Sequence, residues 1–116
     1  MIIKKLNKVQ GVKVEGVEKV TKQVVLGIND GSTEIVLRQF TVEPDGATPH
    51  HSHNFPHLVR IESGNGILID GCGKEHKLEK NDFVYVNNNE MHNFKNTGNE
   101  PFVFICIVPG IGENYK

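Results

Sequence analysis

Asp45-Gly46-Ala47-Thr48-Pro49-His50-His51-Ser52-His53-Asn54-Phe55-Pro56-His57-Leu58-Val59-Arg60-Ile61-Glu62-Ser63-Gly64 is the stretch that decides how this chain of 116 residues folds. It opens on a turn pair, Asp45-Gly46, carries His51-Ser52-His53, and turns again at Asn54-Phe55-Pro56. It then runs through His57–Glu62, alternating apolar and polar from Val59 to Glu62, and stops at Gly64-Asn65-Gly66. Alternation with period two is the mark of a half-buried strand. Glycine, Asn and Asp bound it because they tolerate positive φ at low steric cost.

Outward from this stretch the same punctuation repeats at Asp30-Gly31, Asp70-Gly71, Asn87 to Asn89 and Thr97-Gly98-Asn99. Between the marks lie β-rich runs: Gln23–Ile28, Glu34–Val42, His57–Glu62, Gly66–Asp70, Asp82–Val86, His92–Asn96 and Pro101–Val108, with Val12–Val14 as an edge strand. Short strands at such spacing predict an all-β sandwich or barrel. No window shows a capped helical period, and no repeat or linker divides the chain. One closed β domain over residues 1–116 is the expectation. Parity puts His57 on one face with Val59 and Ile61, and His92 with Phe94 and Asn96. The last run is apolar on both sides, as if both were covered, and its inward side is left open.

Thirteen Lys and Arg against fourteen Asp and Glu leave a net charge of −1, without the basic face of a nucleic-acid binder. The longest apolar run is Phe102–Val108, far short of the ~20 residues of a membrane helix, and the N-terminus lacks the apolar stretch of a secretory signal. Neither nucleic acid nor membrane is expected as a partner, and a cytoplasmic location is. Cys72 and Cys106, the two cysteines, have neither zinc-site nor disulfide-scaffold spacing and read as free thiols.

Six histidines are many for this length, and all six fall in the span from His50 to His92. On an extended segment His51 and His53 leave the same face roughly 6.6–6.8 Å apart. The turn before His57 swings that residue back beside them, and His92 arrives from elsewhere in the fold. Imidazole suits Zn, Cu, Fe and Ni. The competing reading is a solvated His-rich loop with core-satisfying histidines. His50 points away from its neighbour His51, and His76 lies in the polar stretch Lys74-Glu75-His76-Lys77, so neither is expected as a ligand.

Asp45-(five residues)-His51-Ser52-His53-(three residues)-His57-(six residues)-Gly64 resembles the first motif of the cupin family. Asn81-Asp82-(four residues)-Asn87-Asn88-Asn89-Glu90-Met91-His92-(three residues)-Asn96 resembles the second. Motif glycines are replaced by Asp45, Asn81 and Asn89, the motif proline by Asn87, and the usual glutamate ligand by His57. Some small single-domain cupins hold a divalent metal, often manganese, with four histidines, and the chain looks like that subgroup. The resemblance implies an all-β double-stranded β-helix, or jelly-roll, barrel with motifs at about residues 45–64 and 81–96. It implies one divalent transition metal (Mn, Fe, Ni, Cu or Zn) on His51, His53, His57 and His92.

Exchanging carboxylate for imidazole raises the net charge of the site from +1 to +2, which favours anionic ligands. Four ligands leave a six-coordinate ion two open positions, as in dioxygenase-like chemistry, whereas a closed tetrahedral zinc site leaves none. Arg38, Phe94, Phe104 and Cys106 are the pocket candidates. Arg38 either enters the barrel to pair with a substrate carboxylate or points outward with Gln39 inward. Arg60 faces away from His57. Two function classes follow: a metal-dependent oxidoreductase acting on a small, anionic molecule, with isomerase or lyase chemistry looking alike, or a non-catalytic binding or sensor module. Glu90 is the nearest carboxylate, in what reads as an exposed turn. The family resemblance implies a homodimer, with Ile2, Ile3 and Leu6 suited to the contact unless the N-terminus folds onto its own barrel.

Overall fold

Alternating apolar rows become two packed sheets in the computed structural model, which describes residues 1–113. The last three residues of the expected domain, 114–116, lie outside the described residues. The strands are β1 (Gly11–Lys13), β2 (Val20–Leu26), β3 (Ile35–Val42), β4 (His57–Ser63), β5 (Asn65–Asp70), β6 (Glu75–Glu79), β7 (Phe83–Val86), β8 (His92–Asn96) and β9 (Phe102–Pro109). All pair antiparallel, in the orders β1-β2-β3-β9-β4-β7 and β6-β5-β8. The long crossovers in this order are those of a jelly roll. Among the described residues, helix is limited to short 3-10 turns at Leu6–Lys8, Ile28–Asp30 and Gly110–Gly112.

Three departures from the sequence-based strands have physical reasons. The strand expected at Gln23–Ile28 starts earlier, at Val20, which is fully buried against the core and pairs with Val42. Glu75–Glu79 forms β6 although its residues are polar, because only Leu78 turns inward. The outer row of β9, Val103, Ile105 and Ile107, is half-buried rather than covered, while Phe102, Phe104, Cys106 and Val108 point into the core.

The substituted glycine positions keep their backbone role. Asp45, Asn81 and Asn89 are left-handed, with φ of 68°, 74° and 64°. Each is the third residue of a β-turn closed by a backbone hydrogen bond: Gly46 N to Glu43 O, Asp82 N to Glu79 O, and Glu90 N to Asn87 O. Asn and Asp adopt this conformation more readily than other side-chain-bearing residues. Gly64 has no such freedom: its φ is 82°, and a Cβ there would collide with the Pro101 carbonyl oxygen.

One end of the barrel is closed by Val20, Val42, Ile61 and Phe102, all at 0% exposure. Asn96 sits among them fully satisfied, its amide donating to the carbonyls of Val42 (2.8 Å) and Glu100 (2.7 Å) and its oxygen accepting from Gly98 N (2.8 Å). The other end carries the histidines.

Candidate metal centre

Residues 47–51 run beside β8 as an irregular extra edge, bridging Ala47 to Lys95 and His51 to His92. Backbone bonds between His51 and His92 in both directions (3.2 and 3.0 Å) fix the two side by side. The turn at residues 54–56 then returns the chain into β4, bringing the His53 and His57 rings to 5.0 Å between centroids. His57 and His92 lie 5.2 Å apart by the same measure. The ligand atoms of His53, His57 and His92 all fall within 4.8 Å of one another.

His51, the fourth expected ligand, stands outside this trio and joins it through a hydrogen bond between its Nε2 and His53 Nε2 at 2.9 Å. His92 donates its Nδ1–H to the Glu90 carbonyl at 2.9 Å, which leaves Nε2 as a free lone pair. His57 Nδ1 lies 3.2 Å from Cys106 Sγ, while its Nε2 is buried with no hydrogen-bond partner among the described residues. Buried polar atoms are nearly always paired, so an orphaned imidazole nitrogen facing other histidines fits a metal. A second atom of each ligating ring held by the protein is the usual support for such a site.

Burial is the main force on these rings. It lowers the pKa of His57 to about 3, with His92 and then Arg38 adding like-charge repulsion. It lowers His53 to about 4, helped by His51 and His92. His51 is lowered too, by burial first and His92 second. Unprotonated rings at neutral pH are the ligand form of histidine. His50 is exposed and spends its Nδ1 on Asn93 Oδ1 at 2.8 Å. His76 pairs with Asp70 at 2.9 Å on the β5–β6 hairpin.

A cavity of about 530 Å³ opens beside the histidines, lined by all four pocket candidates, Arg38, Phe94, Phe104 and Cys106. Arg38 is the inward alternative, 7% exposed. Its Nη2 donates to Cys106 Sγ at 3.3 Å, and its Nη1 meets Glu113 Oε1 at 3.2 Å. Burial raises the Cys106 thiol pKa, against the opposing pull of Arg38. Both cysteines are free. Arg60 lies outside, bonded to Asn81 and lying over Phe83. Glu90 turns to accept from Asn87 N at 2.7 Å, so its carboxylate caps a turn. Sequence reasoning missed Glu113 and Lys22. Their salt bridge (2.5 Å) joins β2 to the chain after β9, and no local pattern announces a partner 91 residues away.

The fold and site together describe an all-β jelly-roll barrel with a nitrogen-donor cluster at one open end. The chain belongs to the cupin family, whose cupin domain profile matches residues 38–108. Among solved structures it is similar to the polyketide cyclase RemF from Streptomyces resistomycificus (23% identity, TM-score 0.88, 95% of this chain and 80% of that one). It is similar to a predicted oxalate decarboxylase from Thermotoga maritima (18% identity, TM-score 0.82, 93% and 98%). A cupin-2 domain from Rhodospirillum rubrum is likewise similar (26% identity, TM-score 0.77, 100% and 77%). No curated protein sequence matches the chain. No described helix is long and apolar enough to cross a membrane.

Proposed function

We propose that this cupin is a metal-dependent enzyme in which His51, His53, His57 and His92 hold one divalent transition ion and the adjoining cavity binds a small anionic molecule. The observation that carries the reading is the buried, partnerless His57 Nε2 among converging histidine nitrogens at the end of that cavity. The ion would supply Lewis-acid or redox chemistry at its remaining coordination positions. Around it, His92 is oriented by the Glu90 carbonyl and His57 by Cys106. Phe94 and Phe104 wall the cavity and exclude water, and Arg38 offers charge to an anion.

Oxidation or oxygenation is the leading chemistry on this donor set, because nitrogen ligands suit iron and copper and leave room for a second reactant. The names of structural neighbours span a cyclase, a predicted decarboxylase and an ectoine synthase, so the barrel alone does not choose the reaction. Ile2, Ile3 and Leu6, at 53%, 83% and 44% exposure, support the reading of a homodimer formed through the N-terminal segment.

Elemental analysis of the purified protein beside a His57→Ala variant tests the centre. The expected result is one ion per chain, lost or weakened in the variant; a chain that stays empty after reconstitution overturns it. Oxygen uptake over a panel of small acids, with and without chelator, tests the chemistry. Turnover that ignores dioxygen would move the reading to an isomerase or lyase, and a loaded protein without turnover to a binding module.

A further inference from the structure

Glu113 is the buried carboxylate that the metal centre does not use. Its side chain is 2% exposed and it grips two cations at once, Lys22 through Oε2 and Arg38 through Oε1. Lys22 and Arg38 both line the cavity, whereas Glu113 stands behind them, outside the lining. One carboxylate fixing two cations leaves a net single positive charge, held in place and facing the cavity. Lys13 and Glu15, also at the cavity, are exposed and opposite in sign. The Arg38 fork is not fully spent. Nη1 serves Glu113 and Nη2 serves Cys106, each carrying a second N–H, while the buried Nε has no acceptor among the described residues. A planar fork with spare donors matches a carboxylate better than a point cation does.

The strand register sets what lies next to that charge. Arg38 pairs across the sheet with Cys106, and one layer deeper Phe40 pairs with Phe104. The Phe40 and Phe104 rings are stacked, 5.3 Å apart and 18° from parallel. Phe94 packs against Phe104 at 4.5 Å. The guanidinium lies 5.0 Å over the Phe40 ring. From the Arg38 layer, Cys106 reaches up to touch His57. The cavity therefore presents, in order, nitrogen donors, a positive charge and an aromatic wall.

We propose that the Lys22–Glu113–Arg38 triad is a preorganised carboxylate receptor, and that the ligand of this cavity is a small planar monocarboxylate, an aromatic or conjugated acid, lying against Phe40 and Phe104. The inference rests on reading the cavity as the ligand site, and it places Glu113 as a positioning residue that acts through Arg38 and Lys22. Prior fixation of the cations removes part of the ordering cost of binding. In the metal-free protein a single net charge selects a monoanion over a dianion.

Titration of the full chain with benzoate and with its neutral isostere benzamide, in chelator-treated and zinc-loaded protein, tests the receptor. Benzoate is expected to bind about ten-fold more tightly than benzamide in both forms, the scale of one charge-assisted hydrogen bond. Arg38→Gln should abolish that preference, and the less buried Lys22→Gln should reduce it about three-fold if Arg38→Gln does not fold. Glu113→Gln should shift the affinity ratio of phthalate to benzoate toward the dianion, a ratio that a merely structural role would leave unchanged. Equal binding of benzoate and benzamide, or a preference seen only with zinc, would overturn the inference. A preference that persists in a chain unable to retain any metal supports the receptor while removing the metal reading, so the two fail separately.

Discussion

The closed and open ends of this barrel are built from the same strands by opposite rules. On β8, Asn96 at the closed end has three hydrogen bonds, whereas His92 at the open end keeps Nε2 free. On β4, Ile61 is fully buried among apolar neighbours, while His57 carries an unpaired nitrogen. On β3, Val42 is fully buried and Arg38 keeps an unpaired Nε. Unpaired buried donors and acceptors cost roughly 1–3 kcal/mol each. The closed end supplies stability, and the open end gives some of it up to hold groups ready for ligands. Local polar satisfaction therefore separates the end of each strand that packs from the end proposed to bind.

The largest effect expected is at the junction of β4 and β5. Gly64→Ala adds a side chain at positive φ and against the Pro101 carbonyl, and a loss of about 3–5 kcal/mol in chemical denaturation is expected. A loss below about 1 kcal/mol would show that the closed end is softer than its packing suggests.

Phe102→Ala against His57→Ala sharpens the contrast directly. The first should cost about 3–5 kcal/mol of stability and, in whatever folds, leave metal affinity unchanged. The second should weaken metal binding at least ~10-fold, as expected when a ligand is removed, with a smaller effect on the stability of the metal-free protein because an orphaned nitrogen leaves with it. Equal stability losses in the two metal-free variants would erase the distinction between the ends.

Acid should find the open end first. His57 and His53 have pKa values of about 3 and about 4 in the folded chain, below the ordinary histidine value near 6.5. The unfolded chain therefore takes up protons that the folded chain refuses. Stability of the metal-free protein is full above about pH 6.5 and falls as pH drops toward 4. Denaturant midpoints measured from pH 7.5 to 4.5 should show this slope, flattened in a His53→Ala, His57→Ala double variant. An unchanged slope in that variant would assign the acid sensitivity elsewhere.

The smallest effect concerns a turn. Asn81→Ala should cost about 1 kcal/mol and Asn81→Gly almost nothing, because φ there is 74°. Thermal melts of the pair separate backbone conformation from loss of the Arg60 bond to Asn81, which both variants lack.

Much of this contrast was legible in the residues themselves. Turn chemistry marked most strands, and His92–Asn96 matched β8 residue for residue. Parity placed His57 with Val59 and Ile61 on the buried row. The motif spacing survived substituted glycines because the replacements Asp45, Asn81 and Asn89 adopt the same left-handed backbone. What failed had no local signal. β6 is too polar to read as a strand, with Leu78 its only buried side chain. The facing of Arg38 was undecided by alternation, since Gln39 was an equal alternative inward residue. Glu113 was invisible because its partners are 75 and 91 residues distant, and only folding brings them together.

The two thiols separate by access in a way that lends itself to spectroscopy. Cys72 is exposed on the β5–β6 hairpin, two residues beyond Asp70, which pairs in register with His92. Cys106 is buried with a raised pKa, so its reactive thiolate form is scarce. A maleimide dye would therefore mark a single position near the rim of the open end without mutagenesis. Its emission would follow occupancy of the cavity in real time, in a protein that has no tryptophan of its own to report it.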